Sequence, residues 1–347
     1  MTTYTVGVGK TFARLSDLTE RLLPGDLVEL YTPIVDCVVL DRPGQPGNPI
    51  TIRGIGEHPV AVDAAGGRET FRLLGDHYRL ENLEITGGAF RGVNHRNHDL
   101  TVLGCYIHHN GNGIMGADHV CTGDIHINRC EFFANGAGLY AHQMYLCSYR
   151  PGAQAIVEHC YIHDATGGAN LKTRMPRNLI RYNWLENAAS YAVDMVDADK
   201  CNGITEGGDF YGNVVLAAEN YTTKQLVHLG SDQDCSPGNR GRFRLTHNLF
   251  VTVSTMTRVI NVHGIVGEVA LYNNIFLGRR ERFAAAVGAG GWPLDTQIGR
   301  IVARNNWIHP GALECYIDND VPPVALDFTG TLPDRADEPI DRPGATT

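Results

Sequence analysis

Asn or Cys recurs at the same place in nine short apolar runs, and that recurrence restricts the chain to a repeat architecture. The runs read RLENLEI (79–85), VLGCYIH (102–108), INRCEFF (127–133), VEHCYIH (157–163), IRYNWLE (180–186), FYGNVVL (210–216), LTHNLFV (245–251), LYNNIFL (271–277) and ARNNWIH (303–309). Their fourth letters form a column of Asn82, Cys105, Cys130, Cys160, Asn183, Asn213, Asn248, Asn274 and Asn306. Successive members are 23 to 35 residues apart. That spread is too irregular for leucine-rich or helical repeats, but it suits coils whose strands are fixed and whose turns vary. Strand-like alternation and Gly, Asn and Asp turns fill the intervals, without a long stretch of helical period.

Composition agrees with a turn-rich β protein. The 347 residues include 40 Gly, with 43% hydrophobic and only 19% charged residues. The net charge of −9 argues against nucleic-acid binding, which needs an excess of Lys and Arg. No run of about eighteen uncharged apolar residues is present, so no membrane span is expected. Nine cysteines without a CxxC pair disfavour a zinc cluster and leave at least one thiol unpaired.

The column resembles the internal asparagine ladder of pectate-lyase-like right-handed parallel β-helices, over roughly residues 25–320. The resemblance implies an all-β, single-stranded solenoid of about 9–11 coils. A stacked amide would satisfy turn backbone groups that are otherwise buried without partners. Cys105, Cys130 and Cys160 occupy the same slot and are expected as buried free thiols. Residues 1–24 are expected as an N-terminal strand and an amphipathic cap helix, because KTFARLSDLTERLL (10–23) carries apolar residues at helical spacing before Pro24-Gly25. The solenoid is expected over 25–320. The Pro- and Asp-rich tail, 321–347, is expected to lie along the surface or to be partly disordered.

Ten to fifteen residues after each ladder position comes a further strand: GIMGAD, GLYAHQ, NLKTR, YAVDMV, LVHLGS, VINVHG and AAVGAG. With Ile114, Leu139, Leu171, Val193, Val227, Ile260 and Val287 inward, alternation sends Met115, Tyr140, Lys172, Asp194, His228, Asn261 and Gly288 outward. Two residues on, His142, Arg174 and His263 share that face. Neighbouring coils lie about 4.8 Å apart, so this chemistry gathers in one substrate-sized patch. The insertions 143–155, 197–208 and 231–242 are expected to wall it, bringing Arg150, Asp197, Asp199, Glu206, Asp232 and Asp234. The run NLKTRMPRNLIR (170–181) is the densest positive segment, and its Lys172, Arg174, Arg177 and Arg181 suit an anionic polymer. His108, His159, His163 and His247 lie beside the ladder and are read as structural.

The resemblance implies a polysaccharide lyase that cleaves a uronic-acid-containing polymer by β-elimination on the outer face of this sheet. Such an enzyme neutralises the uronate carboxylate, takes the C5 proton and assists the leaving oxygen. Lys172 is assigned as base, Arg174 as carboxylate neutraliser or acid partner, and Tyr140 with His142 as acid or auxiliary base. If Asp194 pairs with Lys172, the lysine stays protonated and Tyr140 or His142 becomes the better base. His228, Arg150, Asn261, His263 and Arg177 are expected to bind substrate. Some lyases of this fold use calcium, for which Asp194, Asp197, Asp232 and Asp234 are the candidate donors. Neither a vWiDH-type signature nor the NTD, DD, GHG and RIK set of polygalacturonase-like hydrolases is present. A glycoside hydrolase using Asp194 with Asp232 or Asp234 remains open, as do a uronan C5-epimerase and a non-catalytic glycan-binding or phage-spike module whose aromatics would be Tyr140, Tyr145, Tyr149 and Trp292. The substrate class implies an extracellular or periplasmic setting, and because phage spikes of this fold are trimers, a monomer or homotrimer is expected.

Overall fold

Alternating apolar residues build each strand, and three strands build each coil. In one coil Tyr78–Glu81, Leu83–Thr86 and Arg91–His95 follow one another, and in the next Leu100–Leu103, Tyr106–His108 and Ile114–Gly116. Leu100 then lies opposite Tyr78, Tyr106 opposite Glu84 and Ile114 opposite Val93, all in parallel. The computed structural model describes residues 1–116, 122–138, 140–196, 206–217, 225–231, 241–252, 256–278, 283–289, 297–309, 312–317 and 324–333. Among these, the coils stack into a first sheet of thirteen strands, a second of twelve and a third of eleven. The result is the expected all-β, right-handed parallel β-helix.

The core is a set of like-on-like columns. Val157, Ile180, Phe210, Leu245 and Leu271 stand in register on the first sheet, and all are buried. On the second sheet Phe132, Ile162, Leu185, Val215, Phe250 and Phe276 do the same, and the rings of Phe250 and Phe276 stack at 5.0 Å. Each such side chain removed from water stabilises the fold by about 1.5–3 kcal/mol, before the cost of ordering it.

The turn from the first sheet to the second is one residue in the left-handed region, followed by the ladder residue. Arg129, His159, Tyr182, His247, Asn273 and Asn305 take φ between 53° and 58°, and Gly104 and Gly212 complete the column. Asn183, Asn213, Asn248 and Asn274 each donate their backbone N–H to the amide oxygen of the next member, at 2.9–3.0 Å, the last reaching Asn306. Cys160 joins through its N–H to Asn183 Oδ1, and the thiols of Cys105, Cys130 and Cys160 turn inward to carbonyls of the preceding coil. All three cysteines are buried and free. Asn82 is not a ladder member. Register places Leu83 opposite Cys105 and Asn82 opposite Gly104, so Asn82 is the turn residue, with φ 52°. Its side chain points back to the carbonyls of Gly54 and Gly56 instead. A short polar side chain serves either slot, which is why the sequence pattern slips there by one residue.

The cap helix expected over 10–23 does not form; only Thr19–Arg21 makes a turn of 3-10 helix. Leu15, Leu18 and Leu22 are nevertheless buried as their spacing implies. Side chains take the backbone donors that a helix would have used, Asp36 accepting from Ser16 and Asp26 from Leu23. So short a segment gains too few helical bonds to offset nucleation. At the other end the coil continues beyond 320. Ala325–Asp327 pairs with the first sheet and Leu332–Pro333 with the second, while residues 334–347 lie outside the described residues.

Candidate active site

The outer face of the third sheet presents one continuous row: Arg72, Asn94, Met115, Tyr145, Lys172, Asp194, His228, Asn261 and Gly288 are successive register partners. Lys172, Asp194, His228 and Asn261 thus stand in neighbouring coils as alternation predicts. Tyr140 does not join them. The strand in its coil is Met144–Cys147, not 138–143, so Tyr145 takes the expected place and Tyr140 sits in a turn, 86% exposed. His142 also precedes the strand. Its ring nevertheless meets Tyr145 edge-to-face at 5.5 Å, and its Nδ1 accepts the N–H of Ala169 at 2.8 Å. With Nδ1 so occupied, a neutral His142 carries its proton on Nε2 and suits a donor better than a base.

The centre of the row is a buried polar chain. Lys172 Nζ donates to Asp194 Oδ2 at 2.7 Å, and His228 Nδ1 meets Asp194 Oδ1 at 2.6 Å. His228 Nε2 in turn lies 2.6 Å from His263 Nδ1, with the two rings stacked 4.1 Å apart. Tyr191 also stacks on His228, at 5.1 Å, and Asn261 Nδ2 approaches His263 Nδ1 at 3.3 Å. Asp194 and His228 are each 2% exposed. Burial alone would raise the Asp194 pKa, but the charge of Lys172 and the hydrogen bonds from Lys172 and His228 overcome it and hold the carboxyl well below its ordinary value.

The Lys172–Asp194 pairing that bears on the choice of base is present. An ammonium buried against an ionised carboxylate is held in its charged form, so Lys172 suits neutralisation of an anion and not proton abstraction. Arg174 stands beside it as expected, its guanidinium 5.8 Å from the Tyr145 ring. Arg177 is not brought to the row: it belongs to Arg177–Arg181 of the first sheet and pairs with Glu206 at 2.5 Å. There it lines a separate cavity of about 450 Å³ with Arg242, Arg244, Asp209 and Glu268. Arg150 lies in the turn after Met144–Cys147, its N–H bonded to Ser148 Oγ. The insertion 143–155 is therefore largely strand and short turn.

Of the four calcium donors, Asp197, Asp232 and Asp234 lie outside the described residues. Both oxygens of the fourth, Asp194, already hold Lys172 and His228, which fits a cation ligand poorly. Among the described residues no three His, Cys, Asp or Glu side chains gather to hold a metal ion. No helix among them is long and apolar enough to cross a membrane.

Tyr145, which the sequence places only among nearby loop aromatics, and Tyr191, which it does not single out, also contribute. The alternation Met144 in, Tyr145 out, Leu146 in marks the first as an outward candidate, in competition with the alternation of GLYAHQ. The second carries no signal, because its ring reaches His228 from the turn before its own strand.

The family described as right-handed beta helix region matches residues 67–224. Among solved structures, a pectate lyase is similar with a TM-score of 0.54 and 14% identity, over 94% of this chain and 79% of that one. A lacto-N-biosidase from Eubacterium ramulus is similar with a TM-score of 0.56 and 11% identity, over 94% of this chain and 68% of that one. At such identity the likeness is one of fold, and no curated protein sequence matches. By its coils, its ladder and these matches, the chain has the right-handed parallel β-helix fold.

Proposed function

We propose that the chain is a lyase acting on a uronic-acid-containing polysaccharide, with the coupled pair His228–His263 as its proton acceptor. The observation that carries this reading is the chain Lys172, Asp194, His228, His263, which sets a fixed cation and a polarised imidazole pair side by side. β-Elimination needs both. The cations Lys172 and Arg174 neutralise the carboxylate that acidifies C5–H. The imidazole pair takes the C5 proton, the electron pair forms the C4–C5 double bond, and the C4–O bond breaks. With Nδ1 of His228 committed to Asp194, the acquired proton is shared across the 2.6 Å contact between the rings, facing the carboxylate. Tyr145 or the Nε2–H of His142 returns a proton to the leaving oxygen. Polymers of this class meet their enzymes outside the cell or in the periplasm.

The test offers a panel of acidic polysaccharides, with and without chelator, and follows ultraviolet absorbance of the 4,5-unsaturated uronate. A rise that His228→Asn or His263→Asn reduces roughly 10²–10⁴-fold supports the reading. New reducing ends without absorbance would replace it with a hydrolase. Exchange of the C5 proton without chain cleavage would point to an epimerase, which would use the same groups.

A further inference from the structure

Four steps along the third sheet, from Glu69–Leu73 to Leu171–Arg174, separate a second cationic cluster from Lys172. Its members are Arg68, Arg72, Arg91 and Arg96, in a protein whose net charge is −9. The guanidiniums of Arg68, Arg72 and Arg91 share one carboxylate, Glu69, at 3.8, 3.9 and 3.0 Å. Among the described residues these three guanidiniums share that single carboxylate, which leaves a positive excess. Arg91 registers it: burial, and then the charges of Arg68 and Arg96 acting against the pull of Glu69, hold its pKa below the ordinary value. Beside them Phe90 is 43% exposed, with Arg91 4.4 Å and Arg68 5.3 Å from its ring centre.

The cluster belongs to the same outer face as the buried polar chain. Arg72 is the row member four strand steps before Lys172, which at the parallel spacing is about 19 Å. Asn94 in that row donates to Glu69 Oε1 at 2.7 Å, and Arg91 Nε reaches Met115 Sδ at 3.1 Å, so both side chains lie along it. Between the two cationic ends the row offers Met115 and Tyr145. We propose that Arg68, Arg72, Arg91 and Phe90 form a distal subsite for an acidic glycan, whose chain runs along the third sheet from this cluster to Lys172 and Arg174. The guanidiniums bind carboxylates or sulfates and Phe90 carries a sugar face, a pairing of anion and ring contacts that suits a charged saccharide. The inference shares its substrate class with the proposed lyase, but it concerns binding and needs no turnover.

Affinity electrophoresis in native gels containing polygalacturonate or alginate tests it. The intact chain is expected to be retarded, less so as salt is raised, and Arg68→Ala/Arg72→Ala is expected to raise the apparent Kd roughly tenfold. Arg242→Ala/Arg244→Ala on the first sheet, with the same change in charge, corrects for altered mobility. Circular dichroism melting of each variant checks the fold. Equal Kd in the two double variants, equal retardation by neutral dextran, or stronger retention by double-stranded DNA than by either polyuronate would each overturn the proposal. Retardation lost with the Arg68/Arg72 pair but no unsaturated product would leave the subsite standing and sink the lyase reaction alone.

Discussion

Lys172 Nζ lies 2.7 Å from Asp194 Oδ2, and the two side chains are 11% and 3% exposed. The pair is too buried for water to compensate either charge if its partner is removed. Asp194→Asn is therefore expected to destabilise the fold by about 3–5 kcal/mol, since it strands the ammonium, and to reduce turnover roughly 10²–10⁴-fold, since His228 loses its anchor. The double change Lys172→Met/Asp194→Leu separates the effects. Apolar replacement of a buried pair is often neutral, so urea unfolding should recover most of the stability while the initial rate of uronate formation stays lost. Recovery of the rate would show that the pair serves only the fold.

The ladder carries a sharper contrast. Asn213 accepts from the N–H of Asn183 and donates to Ile180 O and Asn248 Oδ1, all in the interior. Asn213→Ala leaves those groups without partners, at about 1–3 kcal/mol for each one left unsatisfied. Asn82 occupies the half-buried left-handed turn, where glycine is equally at ease. Asn82→Gly is accordingly expected to cost about 1 kcal/mol or less, the worth of its bonds to the Gly54 and Gly56 carbonyls. Urea midpoints of the two variants check this, and equal losses would return Asn82 to the ladder.

These two residues mark how far the sequence could be read. Period-two alternation and the Asn and Cys column define the coils because every coil must solve the same turn. The row from Lys172 to Asn261 was legible for the same reason. Tyr140 was misplaced because GLYAHQ and QMYLCS both alternate, and alternation alone cannot choose between them. A second set of buried amides chooses. Asn170 directly precedes its strand and Gln143 directly precedes Met144, each binding carbonyls at the turn out of the second sheet, while Asn110 and Asn135 bond each other there. That set was overlooked because its members stand at no fixed distance from the first column. Nor could spacing reveal that His228 and His263 touch, since their contact spans one coil and two residues of strand.

His95 supplies the pH prediction. It closes the third-sheet strand Arg91–His95 with its ring wholly buried, opposite Leu73 and Gly116. Burial, offset only in part by the Asn97 backbone, pushes its pKa down to about 4 from the ordinary 6.5. The folded protein thus binds fewer protons at this site than the unfolded chain between pH 6.5 and 4. Stability from a neutral His95 is complete above pH 6.5 and drains away as pH falls toward 4, by roughly 3 kcal/mol in all. Asp194, whose folded pKa is depressed, acts in a lower window: its contribution is present above the ordinary carboxylate range and is lost only as pH falls below it. Urea unfolding of the intact chain and of His95→Leu between pH 7 and 4 isolates the histidine. The leucine variant is expected to lose less stability across that interval, by roughly the same 3 kcal/mol, and parallel curves would mean that the ring reaches water or a partner when it takes its proton.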